Sequence, residues 1–93
     1  MSVRLVISPA AARDLDRLEA WLLDKDPTAA IRAGEVLRAA LQTLTEFPLR
    51  SRLVRGEIRE LNAPFGRSVY VIRHRVRGEQ VIVTRIFHGR ERR

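Results

Sequence analysis

His88 and the arginines around it are the residues in this chain best suited to chemistry. His88 is one of only two histidines among 93 residues, and it follows an alternating apolar run, Val81-Ile-Val-Thr-Arg-Ile-Phe87, that drives straight into His88-Gly89-Arg90. An imidazole with an ordinary pKa of about 6.5 can give or take a proton at neutral pH. Arg59, Arg73 and Arg85 are cations of the kind that stabilise developing negative charge. The plainer reading of Arg90, Arg92 and Arg93 is a solvated basic tail on an edge strand, since chain ends are normally frayed. The second histidine, His74, lies mid-strand and reads as a packed or half-exposed side chain. Glu57 and Glu60 read as partners for neighbouring arginines rather than as general bases.

Other chemistries are poorly served. The chain has no cysteine, so disulfides, zinc–thiolate sites and thiol redox chemistry are excluded. Two histidines and scattered carboxylates offer neither a metal site nor a nucleophilic triad. No glycine-rich phosphate loop is present. No cofactor and no metal are expected.

The charge has a direction. Residues 1–47 carry six basic and seven acidic side chains, a balance of −1, whereas residues 48–93 carry twelve arginines and four glutamates, a balance of +8; together they give the net +7. Lys25 is the only lysine. Arginine presents a planar, weakly hydrated fork suited to carboxylates and phosphates. The expected partner is therefore acidic, whether protein or nucleic acid.

The elements that must position these residues follow from local signals. A length of 93 residues predicts one domain over 1–93, burying roughly 60–65% of its unfolded surface. No apolar run reaches the roughly 20 residues needed to cross a bilayer, and the N-terminus lacks the features of a signal peptide. A cytoplasmic protein without membrane contact is expected.

Val3 to Ile7 predicts a short strand. Ser8-Pro9 is an N-cap followed by proline at the first helical position. Ala11, Leu15, Leu18 and Leu22 then recur at helical spacing, while Arg13, Asp14, Asp16, Arg17 and Glu19 cover the remaining surface. Asp26-Pro27 repeats the start signal. Ala33, Leu37, Ala40, Leu41, Leu44 and Phe47 form the stripe of a second helix, which Pro48 ends. So short a link predicts an antiparallel helical hairpin, with Trp21 read first as core or rim packing.

Residues 49–56 read as a basic loop holding Arg50, Arg52 and Arg55. Ile58 to Leu61 predicts a short strand and Asn62 to Gly66 a turn. Ser68 to Val76 and Gln80 to His88 predict two longer strands joined through Gly78-Glu79 as a type II′ turn. That register sets Val76 opposite Val81, Val69 opposite His88 and Arg73 opposite Thr84. His88 then shares a face with Arg73 and Arg75, and Arg85 with Phe87, Tyr70, Ile72 and His74; a one-residue slip would regroup them. The fold class is α+β, in the order β-α-α-β-β-β, with the hairpin on one face of a small, mostly antiparallel sheet.

An ordered set of pieces resembles the RelE/ParE toxin superfamily of bacterial type II toxin–antitoxin modules. It comprises Ser8-Pro9-Ala10 with Asp14-Leu15, then Leu41, Leu44 and Phe47-Pro48, and then Arg59-Glu60-Leu61. Tyr70-Val71-Ile72-Arg73-His74 and the Val81 to Phe87 run with His88-Gly89-Arg90 complete it. The resemblance spans nearly the whole chain, and the His-Gly-Arg ending and the proline closing the second helix are most like the ParE branch. One departure is Ser51, where the family often has glycine.

This resemblance implies a small toxin held inactive by a separately encoded antitoxin. ParE-like members poison DNA gyrase; RelE-like members cut messenger RNA on the ribosome. For a nuclease, His88, Arg73 and Arg85 would be the catalytic group. However, no aromatic residue follows Phe87 to stack a base, and the only tyrosine is Tyr70, one strand earlier. RNA readout usually relies on such stacking. The sequence therefore favours a gyrase-binding toxin without catalysis of its own. Its expected target-binding residues are Arg59, Arg73, Arg85, His88 and Arg90. An acidic, ParD-like antitoxin, partly disordered when free, is expected against Leu18, Trp21, Leu22 and Leu37, within a higher-order toxin–antitoxin complex. No helix is basic enough to read DNA specifically, so direct specific DNA binding by the toxin alone is not expected.

Overall fold

The structure, a computed structural model, describes residues 3–91; Arg92 and Arg93 of the expected basic tail lie outside the described residues. Strand β1 spans Arg4–Ile7 and ends at Ser8, whose Oγ accepts the Ala11 N–H at 3.1 Å and starts helix α1, Pro9–Lys25. The same hydroxyl donates to the Thr84 carbonyl at 3.1 Å, so one side chain caps the helix and fastens its start to the last strand.

Asp26 serves both helices. Its N–H donates to the Leu22 carbonyl at 2.7 Å and closes α1. Its carboxylate accepts the N–H groups of Thr28 and Ala29 at 3.1 and 3.2 Å and opens α2, Pro27–Glu46. Satisfying three orphan helix-end groups with one residue is what allows so tight a hairpin. Phe47, constrained by Pro48, caps α2.

Four strands follow: β2 Arg52–Arg55, β3 Ile58–Phe65, β4 Ser68–Arg77 and β5 Gln80–His88. They join β1 in one five-stranded sheet ordered β1-β5-β4-β3-β2, antiparallel except for the parallel β1–β5 pair. The expected α+β order is present, with one strand more than the sequence predicts. Both helices cover one face. There Ala11, Leu18, Ala33, Leu37 and Leu44 pack on Ala63, Tyr70, Ile72, Val81, Val83 and Ile86. The opposite face carries no helix among the described residues. No helix among the described residues is long and apolar enough to cross a membrane.

Four local expectations are corrected. The basic loop contains β2, a four-residue edge strand exposed along its length. The expected turn at Asn62–Gly66 is strand as far as Phe65, with Pro64 opposite Val69. Proline is tolerated there because β2 pairs only with Ile58, Arg59 and Glu60, leaving that end of β3 as an edge. Phe47, placed by its spacing at the end of a buried stripe, is 55% exposed. Asp14, expected among the surface residues of α1, is 4% exposed.

The fifth correction concerns register. Gly78 has φ of +57° and Glu79 does not share a positive φ, as a type II′ turn requires, and Val76 does face Val81. A bulge then intervenes: Arg73 faces Arg85 and His74 faces Val83, leaving Thr84 as the extra residue. The Thr84 hydroxyl donates to the Arg73 carbonyl at 3.1 Å within the bulge. Beyond it every pairing is shifted by one, so His88 faces Tyr70 rather than Val69. His88 accordingly shares the helix-covered face with Tyr70, Ile72 and His74. Arg73, Arg85 and Phe87 share the open face.

Candidate functional site

The bulge assembles a cationic and aromatic surface on the open face. Arg73 and Arg85 are directly opposed, and each guanidinium carbon lies over the Phe87 ring, 5.1 and 5.0 Å from its centroid. Like charges facing each other across strands repel. Here each has a carboxylate. Arg73 donates from Nε and Nη2 to Glu60 Oε2 at 3.1 and 2.9 Å. Arg85 donates from Nε to Asp14 Oδ2 at 2.8 Å and from Nη2 to Oδ1 at 3.1 Å. Burial alone would raise the Asp14 pKa, but the hydrogen bonds from Arg85, the Ile86 N–H and Arg17 overcome it and hold the carboxyl below its ordinary value.

Arg75, on the same face opposite Ile82, has a buried Nε–H without a hydrogen-bond acceptor among the described residues. Glu57 is engaged by Arg77 at 2.9 Å. Glu57 and Glu60 are thus the arginine partners their sequence context suggests.

The C-terminal tip is built differently. Gly89 N–H donates to the Val69 carbonyl at 2.7 Å. A Cβ at Gly89 would lie 2.6 Å from Val69 Cγ1, which accounts for glycine between the histidine and the arginine. His88 uses both ring nitrogens: Nδ1 accepts the Arg90 N–H at 3.2 Å, and Nε2 meets Ser68 Oγ at 2.8 Å. Assigned from this network, Nδ1 is the accepting nitrogen and Nε2 the one that donates toward Ser68. Its edge packs on Tyr70 with centroids 5.7 Å apart. A groove of about 640 Å3 runs past this tip, lined by Arg17, Trp21, Arg67, Tyr70, His88 and Arg90 among others.

His74 is wholly buried, with Nδ1 on the Ile72 carbonyl at 2.9 Å and Nε2 on Ser51 Oγ at 2.6 Å. Burial, reinforced by Arg59, pushes its pKa below the ordinary histidine value despite the hydrogen bond to Ile72. Arg59 donates to the carbonyls of Leu49 and Ser51 at 3.2 and 2.7 Å, holding the loop between α2 and β2. Ser51, where the family often has glycine, is therefore a hydrogen-bonding residue of the core.

The structure does not gather the five expected target-binding residues into one surface. Arg73 and Arg85 stand together on the open face, His88 and Arg90 at the tip, and Arg59 clamps a loop on the His74 side. Of the expected antitoxin contacts, Trp21 is 57% exposed and Leu22 half-buried, whereas Leu18 and Leu37 belong to the core. Both line a groove of about 280 Å3 between the helices, and Leu18 also lines the groove at the tip.

A second apolar groove, of about 360 Å3, lies between α2 and β3 and reaches Phe47. Phe47, Leu49, Leu53 and Val54 are all exposed around it and along β2. This region is missed in the sequence because Phe47 reads as the end of the helical stripe and residues 49–56 as a basic loop.

The whole chain has known relatives. Residues 5–93 match the family model described as the ParE toxin of the type II toxin–antitoxin system parDE. Toxin RelE1 of Caulobacter vibrioides is 50% identical over 93 residues, covering all of both chains. Toxin RelE3 of the same organism is 37% identical over 87 residues, covering 94% of this chain and 95% of that one.

Among solved structures, the toxin–antitoxin system ParDE of P. aeruginosa superposes with a TM-score of 0.77 at 20% identity, over 94% of this chain and 96% of that one. The complex RelBE2 of Mycobacterium tuberculosis gives 0.61 at 23% identity, over 95% and 99%. At those identities the superpositions speak for the fold. The family match and the full-length relatives decide the rest: this chain belongs to the ParE toxin family of type II toxin–antitoxin systems.

Proposed function

We propose that this toxin inhibits DNA gyrase by binding it and performs no catalysis itself. The observation that carries the reading is the commitment of both histidines. Each ring nitrogen of His74 and His88 already has a hydrogen-bond partner within the fold. A general acid or base needs a nitrogen within reach of the reacting proton. The strongest cationic pair, Arg73 and Arg85, lies on the face opposite His88, so no scissile phosphate could meet all three. Binding is what remains for such a surface: two guanidiniums over the Phe87 ring and Arg90 at the tip suit an acidic protein surface.

Neutralisation on this reading comes from an acidic antitoxin, ParD-like, that folds as it docks. Its apolar side chains would occupy the groove beside Leu22 and Trp21 and the one beside Phe47, and its carboxylates the arginines at the rims. The β2 edge, unpaired on its outer side, can also accept an added strand. The toxin acts as one domain in the cytoplasm, inside a higher-order complex with its antitoxin and without specific DNA contacts of its own.

A ribosome-dependent ribonuclease is the second reading. It draws on the groove at the tip, where exposed Trp21 and three arginines stand beside His88. Purified toxin separates the two. Expected is loss of gyrase supercoiling with ribosome-bound message left intact; cleaved message with normal supercoiling would reverse the order.

A further inference from the structure

Three charged side chains link α1 to the end of β5 in a closed circuit. Asp14 sits just past the end of β1, where β5 has lost its parallel neighbour after the Ile7–Val83 pair. Its Oδ2 accepts the Ile86 N–H at 2.8 Å, doing the work of the missing strand carbonyl. Its Oδ1 also accepts Arg17 Nη2 at 3.3 Å. Arg17 turns Nη1 to Glu91 Oε2 at 2.9 Å. Glu91 completes the loop: its Oε1 accepts the His88 N–H at 3.0 Å, and its own N–H donates to the His88 carbonyl at 3.0 Å. Burial would raise the Glu91 pKa, yet the His88 N–H and Arg17 keep it below its ordinary value.

We propose that Asp14, Arg17 and Glu91 are positioning residues, a clasp that fixes the His88-Gly89-Arg90 tip against α1 in the form the toxin presents to its target. This rests on the reading of that tip as a target-binding surface. A terminal segment frays unless tied down, and a surface ordered before docking avoids the cost of being ordered on contact. The other ties on the tip, Gly89 to Val69 and His88 to Ser68, fasten it to β4. The clasp is what fastens it to α1.

The test uses the full chain with Arg17→Gln, Glu91→Gln and both together. Both side chains are partly exposed, at 48% and 28%, so folding should survive, with thermal midpoints within about 5 °C of the parent. Amide exchange at Gly89 and Glu91 should quicken about two- to fivefold in each variant. The toxin level needed for half-maximal growth arrest should rise by a similar factor. Because the two residues act through one contact, the double variant should be no worse than the single ones.

Unchanged exchange would remove the clasp. Faster exchange with unchanged arrest would remove its role. A double variant much weaker than either single one would mean that Arg17 touches the target directly. A parent that arrests growth but spares gyrase would overturn the proposed target and leave the clasp standing; a parent that arrests nothing would overturn the clasp's role.

Discussion

Arg73 and Arg85 face each other across β4 and β5 with the Phe87 ring shared between them, at 5.1 and 5.0 Å. Two like charges are held at close quarters because Glu60 and Asp14 each neutralise one of them and the ring face attracts both. Phe87 is only 4% exposed although no helix covers it. Replacing Phe87 with leucine should cost roughly 1–2 kcal/mol of stability, visible in urea unfolding. It should also weaken growth arrest beyond what that loss explains, since both guanidiniums lose their platform. Arrest that merely tracks stability would show that the open face is not the target-binding surface.

His88→Gln tests whether the tip reacts or binds. Glutamine can still accept from the Arg90 N–H and donate toward Ser68, so a binding surface should lose less than about tenfold in potency. A proton-transferring histidine would contribute roughly 10²–10⁴ in rate. Growth arrest and a gyrase supercoiling assay on the same variant give the answer.

Gly89→Ala should displace the tip from β4, because the new methyl would come within 2.6 Å of Val69 Cγ1 and 3.0 Å of the Val69 carbonyl oxygen. Overpacking of this kind costs roughly 1–3 kcal/mol, and at a chain end it is relieved by local movement. The expected outcome is faster amide exchange at residue 89 and reduced toxicity with core protection unchanged. An unmoved tip would place the strain elsewhere.

Acid should weaken the fold in two stages. The buried His74 has a folded-state pKa below its ordinary 6.5, so below that pH the unfolded chain binds more protons than the folded one. Stability is then full above about pH 6.5 and falls as the pH drops from there toward the lowered folded value. Asp14 and Glu91 are held below their ordinary values of 3.8 and 4.5. Their contribution is present above those values and is lost as the pH falls through the lower folded ones. Urea midpoints followed from pH 8 down to about pH 2 should show both declines. His74→Asn should flatten the first and leave the second.

The helical half was legible because its signals are local. Ser8-Pro9, Asp26-Pro27 and Phe47-Pro48 each fix a boundary through groups within four residues. The sheet was less so. A bulge at Thr84 carries no glycine or other mark, yet it moves His88 to the opposite face from Arg73 and undoes the expected grouping. Strand β2, Arg-Leu-Val-Arg, lacks alternation because both of its faces are exposed, and Pro64 disguises the far end of β3. Asp14 looked like a surface residue since its partners Arg85 and Ile86 lie 71 and 72 positions away in the chain. Residue type was therefore a better guide to the candidate surface than residue position: the arginines were identifiable, their division between two faces was not.

The parallel pairing of β1 with β5 has a temporal consequence. The opening strand finds its sheet neighbour only when Gln80 to Val83 have been made, and Ser8 and Asp14 find their β5 backbone partners only with Thr84 and Ile86. A product of interrupted translation that stops before β5 would have an orphaned first strand, a carboxylate on α1 without its Arg85 partner and an Arg73 without its opposite number. Any effect that needs the finished sheet is thereby deferred until β5 has been made.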